Sequence, residues 1–329
     1  MDSVEIAQSR VHHQRNSRHR KPQLPSYRRV NNPPPFQLTV RDQQIILRVY
    51  YFRLLTSSQI EALLFHTTRK ARGLQTQCQR RLQLLYHHQF LNRVQQAVIL
   101  GEGRKPFIYV LDKYGVDVVG ELLSSPKSEL TWTAKHKQQT DPYRLEHDIG
   151  CNDIWVILDR LVQSRDVYMP HWLTQQHLKS IELKQKLPSV SANGIVRQKQ
   201  PDGYFALRFS GQNALAHFFY EEDRGTQSQK QWSEKIQAYM NYRHSGAAQT
   251  HFGFRNFRVL IKTTSARRLA NIKQWSDKYG GATIFWLTSV DRVSIWQPKV
   301  FLEPIWEVAG TNGTYPLNLT DASYMTLDN

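Results

Sequence analysis

From Leu38 onward, apolar residues recur at helical spacing. Ile45, Ile46, Val49 and Phe52 make one helical face. Ile60, Leu63 and Leu64 make a second, behind Ser58, whose hydroxyl stands three residues before Glu61 in the spacing of a capping box. Leu74, Cys78, Leu82 and Leu85 form one stripe of a third helix from about Arg69 to Leu91. The period then shortens. Val94 to Leu100 and Phe107 to Leu111 flank the tip Gly101-Glu102-Gly103-Arg104-Lys105, which predicts a hairpin. A fourth helix follows, from about Lys113 to Leu123. Three helices, a hairpin and a closing helix is the order of a winged helix-turn-helix, in which the third helix enters the major groove.

Residues 124–140 are polar and uneven and read as a linker. A long helix, about Pro142 to Gln163, opens the second unit, with Leu145, Ile149, Trp155, Leu158 and Val162 on its apolar face. Glu146, His147, Asp148, Asn152 and Asp153 are interleaved among them, either pointing into a site or forming a solvated face. Gly194 to Arg197, Tyr204 to Phe209 and Ala214 to Tyr220 read as strands, the last two as an antiparallel hairpin. Then come a helix (Trp232 to about Arg243), a strand (Phe257 to Ile261), a helix (Ala266 to Tyr279) and a strand (Ala282 to Leu287). Trp172 and Ile181-Glu182-Leu183 fall in a mixed region without a clear period. This order predicts an α/β (α+β) chain, a mixed sheet with helices on its faces. The expected division is a disordered basic arm over 1–37, a DNA-binding unit over 38–123, the linker over 124–140, a second domain over 141–310 and a tail over 311–329. Parts of the region after Ile295 pack back as an extended strap.

Charge narrows the partners. The 329 residues carry a formal net charge of +17 and a sequence pI near 9.9. Such an excess of Lys and Arg suits a polyanion, nucleic acid first. No apolar run approaches ~18 residues, so no membrane span is expected, and the polar start does not read as a secretory signal. Cys78 and Cys151 form no metal-type pair and read as core thiols in a reducing compartment, hence a cytoplasmic protein. On the third helix, Arg69, Lys70, Arg72, Gln75, Thr76, Gln79, Arg80 and Gln83 face away from the apolar stripe. With Arg104 and Lys105 at the hairpin tip they are the expected contacts to double-stranded DNA. A small helical interaction domain with a solvated basic face is the alternative. Residues 1–36 hold Arg10, Arg15, Arg18, Arg20, Lys21, Arg28 and Arg29 and have no apolar period, so the arm lacks the means to order itself.

The candidate chemistry lies at Phe218-Phe219-Tyr220-Glu221-Glu222-Asp223-Arg224-Gly225-Thr226. Side chains alternate along a strand, so Glu221 and Asp223 share a face and Glu222 takes the other. Asp202, in the turn Pro201-Asp202-Gly203, falls on the neighbouring strand. Clustered carboxylates are costly unless a cation neutralises them. Asp202, Glu221 and Asp223 are therefore the candidate ligands of Mg²⁺ or Mn²⁺, which would assist phosphodiester hydrolysis. Lys235, on the following helix, is the candidate to position water or stabilise negative charge.

These residues carry a resemblance. An Asp followed by a strand ending in Glu-x-Asp, within helix, three strands, helix and strand, resembles the PD-(D/E)XK nuclease superfamily. Glu146-His147-Asp148 with Asn152-Asp153, Pro201-Asp202, Phe219 to Thr226 and Lys235-Ile236 with Tyr239 and Tyr242 look like the replication-relaxation family of plasmid and mobile-element proteins. The resemblance covers about residues 40–290. It implies a winged helix ahead of a nuclease-like module and a role in plasmid replication and DNA relaxation, with Asp202, Glu221, Asp223 and Lys235 as catalytic residues. The superfamily lysine position is here Asp223, and Lys235 is its candidate replacement. Three functions stay open: a replication and relaxation factor with metal-dependent nicking, a winged-helix transcriptional regulator, and a non-catalytic accessory protein acting with a replication initiator or relaxase.

Overall fold

The computed structural model describes residues 24–25, 28–65, 71–94, 96, 105–132, 141–179, 188–192, 195–280 and 283–319. The first unit runs α1 (Val40–Phe52), β1 (Leu54–Thr56), α2 (Ser57–Leu64), α3 (Ala71–His87), β2 (Leu91–Val94), β3 (Ile108–Leu111) and α4 (Lys113–Leu123). β3 is the central strand of a three-stranded sheet of order β1-β3-β2, antiparallel throughout. The expected order of helices and paired antiparallel strands holds, with the first strand at Leu91–Val94 instead of Val94 to Leu100; residues 97–104, including most of the expected tip, lie outside the described residues. The cap of α2 does not sit at Ser58: Thr56 accepts from the Gln59 amide while the Gln59 side chain returns to the Thr56 amide. A complete capping box two residues upstream outcompetes Ser58 and Glu61. α3 ends at His87, because Leu91 is already in β2.

The second unit begins with α5 (Pro142–Gln163), started by Asp141, whose side chain accepts from the Tyr143 amide, with Pro142 in the first turn. It continues with β4 (Val167–Thr174), α6 (Gln175–Leu178), β5 (Ser189–Ala192), β6 (Ile195–Gln198), β7 (Gly203–Phe209), β8 (Ala216–Glu222), α7 (Gln229–His244), α8 (Ala247–Phe252), β9 (Arg258–Thr263), α9 (Ala266–Lys278), β10 (Phe285–Ser289) and β11 (Glu307–Val308). The main sheet has the order β11-β10-β9-β8-β7-β4. β8, β9 and β10 are mutually parallel, and the other pairings are antiparallel. The expected strap contributes β11 to the sheet edge and buries Phe301, Trp306 and Leu317.

Alternation along the strands splits the sheet into two packed faces. Phe205, Phe218, Tyr220, Leu260 and Trp286 join the cluster of α5. Tyr204, Phe219, Val259, Ile261, Phe285 and Leu287 join Trp232, Ile236 and Tyr239 of α7 and Leu269 and Ile272 of α9. α5 is apolar on more than one side because the sheet covers one face and the first unit another. Ile154, Ile157 and Leu158 are fully buried, each worth roughly 1.5–3 kcal/mol. Hydrogen bonds close the junction: Asn152 Nδ2 donates to the carbonyls of Phe52 (3.2 Å) and Leu54 (2.7 Å), and Gln59 Nε2 to the Ile149 carbonyl (3.0 Å) and Asp153 Oδ1 (2.8 Å). No helix among the described residues is long and apolar enough to cross a membrane.

Part of the basic arm is docked rather than loose. Arg29 donates to the carbonyls of Tyr86 and Leu91, both at 2.9 Å, and pairs with Asp112 at 2.6 Å. A buried carboxylate at the start of α4 supplies the partner that composition alone conceals.

Candidate nuclease-like site

β7 and β8 are antiparallel, with Gly203 opposite Tyr220. This register brings Asp202 to the end of β8, where its Oδ2 accepts from the Glu222 amide at 2.9 Å. Two glycines permit the approach of α5. A Cβ on Gly203 would meet Trp155 at 2.2 Å, and one on Gly150 would meet Glu222 Oε1 at 2.1 Å.

Alternation distributes the carboxylates as expected. Glu221 and Asp223 face α7 and α9, and Glu222 faces α5. All three and Asp202 are buried. Each of the three at the end of β8 has its own cation. Glu221 accepts from Lys235 Nζ (2.7 Å) and the Tyr239 hydroxyl (2.6 Å). Glu222 lies 3.2 Å from Lys262 Nζ, which also donates to the Gly150 carbonyl, and it accepts from the Tyr220 hydroxyl. Asp223 holds Arg268 in a two-pronged pair, Nε to Oδ2 and Nη2 to Oδ1, both at 2.9 Å, and accepts from Thr263 Oγ1 (2.7 Å) and Trp232 Nε1 (3.2 Å).

The titration directions follow. Burial pushes the Glu221 and Glu222 carboxyls above the ordinary range, and Lys235 and Lys262 offset only part of that. Burial also opposes the charge of Asp223, but Arg268 and Thr263 outweigh it and hold the carboxyl low. Lys235 and Lys262 are raised, because the carboxylates around them outweigh burial. Arg224, the obvious neighbour of Glu222 in sequence, lies 3.8 Å from it and makes a shorter pair, 3.1 Å, with Glu146.

Asp202 differs. It lies on the α5 side, receiving His147 Nε2 at 3.1 Å and Gln175 Nε2 at 2.7 Å. Burial disfavours its charge, yet the bonds with His147 hold its carboxyl low. Burial disfavours the His147 charge too, and Asp148 and Asp202 outweigh it to hold the imidazolium well above its usual range. The two residues open onto a small cavity of about 50 Å³, also lined by Arg53, Asp148, Cys151, Thr174 and Gln175.

The structure thus brings Asp202, Glu221 and Lys235 to one end of the β7–β8 pair, while Asp223 turns into a separate ion pair with Arg268. Lys262 and Arg268 are site residues that no sequence spacing marks. Arg268 stands 45 positions from Asp223, and no local spacing announces it. Of the expected DNA contacts, Gln79 and Arg80 are exposed on α3 and Gln83 donates to the Leu24 carbonyl. Lys105 pairs with Glu146 of α5 at 3.0 Å. Arg69, Lys70 and Arg104 lie outside the described residues, as do the side chains of Arg72, Gln75 and Thr76.

No curated protein and no solved structure matches the chain. The family model described as replication-relaxation matches residues 47–256, a span that takes in α2 to α8 and every carboxylate above. The chain therefore belongs to the replication-relaxation family.

Proposed function

We propose that this chain is a cytoplasmic double-stranded DNA-binding factor acting in the replication and relaxation of a plasmid or other mobile element. Family membership supports the process. The observation that carries DNA binding is the first unit's topology on a chain of net charge +17. It is read as a winged helix. α3 turns Cys78, Leu82 and Leu85 into the core and leaves Gln77, Gln79 and Arg80 exposed, as a helix entering a major groove requires. Fluorescence anisotropy of a duplex across a salt series tests this. Binding weakens steeply with salt, and Arg80→Ala lowers the slope by about one ion. Affinity independent of salt would sink the reading.

A second reading, metal-dependent nicking by a PD-(D/E)XK-like module, is favoured by Lys235 Nζ at 2.7 Å from Glu221, beside Asp202. Asp202 and Glu221 suit a divalent cation, Mg²⁺ or Mn²⁺, since each carboxylate oxygen has two lone pairs: Glu221 uses one on each, and Asp202, with both on Oδ2 taken by His147 and the Glu222 amide, keeps one on Oδ1 beside Gln175. Asp223 does not fit, because four donors occupy its two oxygens. When bound, such an ion supplies polarisation of a phosphodiester and a more acidic water. Lys235 would hold that water or balance charge developing on the phosphate. Supercoiled plasmid supplied with either ion becomes nicked or relaxed, and Asp202→Ala and Glu221→Ala abolish the conversion. Tight DNA binding with uncut plasmid would instead identify a transcriptional regulator or an accessory protein working with a replication initiator or relaxase.

A further inference from the structure

The cavity beside Asp202 brings to that carboxylate two donors, His147 and Cys151, that the nicking reading does not use. His147 and Cys151 stand four residues apart on α5, on one face of the helix. Cys151 Sγ lies 3.7 Å from His147 Nδ1, and His147 Nε2 lies 3.1 Å from Asp202 Oδ2. Ligand atoms of His147, Cys151 and Asp202 all fall within 4.8 Å of one another. Among the described residues they form a His/Cys/Asp/Glu group of metal-binding dimensions, whereas Asp202, Glu221 and Asp223 do not.

We propose that His147, Cys151 and Asp202 form a three-ligand site for a borderline divalent transition ion of the Zn²⁺ or Co²⁺ class, with a fourth position open to the cavity. It shares Asp202 with the nicking centre and sets a different ion class against the Mg²⁺ or Mn²⁺ held there with Glu221, so any link to cleavage rests on the nicking reading. Binding itself rests on the cavity geometry alone.

Donor chemistry and cavity geometry support it. Imidazole and thiolate donors select Zn²⁺ and Co²⁺ over Mg²⁺, which takes oxygen. A thiolate and a carboxylate together neutralise a divalent charge. Bonds of about 2.0–2.3 Å put tetrahedral ligand atoms about 3.5 Å apart, so the group closes by a shift of roughly 1 Å. The cavity of about 50 Å³ leaves room for an ion and one water, which requires about 10–15 Å³ of such space. Three protein ligands and a water is the arrangement of an open, reactive zinc site rather than a closed structural one.

Co²⁺ titration of the metal-free full-length protein, followed by absorption, tests this directly. The expected result is one equivalent bound per chain, a thiolate-to-cobalt charge-transfer band, and bleaching on addition of Zn²⁺ but not of equimolar Mg²⁺. The chain has two cysteines, which supply an internal control. Cys151→Ser loses the band and binds more than about tenfold more weakly, while Cys78→Ser keeps both. Circular dichroism of each variant separates lost ligation from lost folding, and His147→Gln provides a second test at a different ligand. No thiolate band in folded wild type, or a band that survives Cys151→Ser, overturns the site. Plasmid nicking with Mg²⁺ by a Cys151→Ser protein would reject this ion class as the nicking cofactor and leave cleavage standing. Cobalt binding through Cys151 with uncut plasmid would do the reverse.

Discussion

The two sides of the β8 terminus handle negative charge differently. Toward α7 and α9, Glu221 and Asp223 meet Lys235 and Arg268 at hydrogen-bond distance. Toward α5, Glu222 is closed by Lys262, but Asp202 faces His147, Cys151 and a cavity. A count of carboxylates therefore does not by itself locate an ion. Buried carboxylates need cations, and this fold supplies most of them as side chains. Room for an external ion remains beside Asp202, where the protein's cation is His147, whose proton a divalent ion would have to displace.

The largest test of that contrast is Asp223→Ala. It removes the carboxylate shared by Arg268, Thr263 and Trp232, leaving Arg268 its bond to the Gln227 carbonyl but no counter-charge there, and breaking such a pair costs about 3–5 kcal/mol, measurable by urea unfolding. The same carboxyl makes the fold acid-sensitive. Its folded pKa is depressed, so its contribution is complete above the unfolded value of about 3.9 and is lost as pH falls through the lower folded value. Wild type therefore loses more stability than Asp223→Asn across that acid window. A parallel decline of the two would break the assignment.

Gly150→Ala comes next. Its new methyl would sit 2.1 Å from Glu222 Oε1, so either the carboxylate leaves its place beside Lys262 and Tyr220 or α5 moves off β8, at about 1–3 kcal/mol. Unchanged thermal stability would show that the approach is looser than described. The smallest effect is expected at His147→Gln, where the side chain is 26% exposed beside the cavity. A glutamine keeps one donor, and the loss is about 1 kcal/mol by the same unfolding assay. A loss equal to that of Asp223→Ala would make His147 a structural cation like Arg268 and erase the contrast.

Legibility followed the range of the interactions. α4 and α5 were readable to the residue, because their start signals and apolar stripes are local. β4 was hidden: it carries Pro170 at a register shift between Tyr168 and His171 on the sheet edge, where a proline is tolerated but the strand pattern is lost. β11, with two residues, has no pattern to read. In the site, Asp202, Glu221 and Lys235 were legible from turn, strand and helix spacing. The ion pairs were not, since Lys262 and Arg268 reach the carboxylates through strand order and helix packing. His147 and Cys151 did carry a signal, spacing i to i+4 on one helix, but Cys151 read as an ordinary core thiol because its third partner, Asp202, comes from another element.

The partition of charge at this terminus is tested most directly by an anomalous difference map from a crystal of the full chain soaked in Co²⁺. One strong peak is expected, bounded by Asp202, His147 and Cys151, with the Asp223–Arg268 pair intact. A peak between Glu221 and Asp223, with Arg268 displaced, would contradict it.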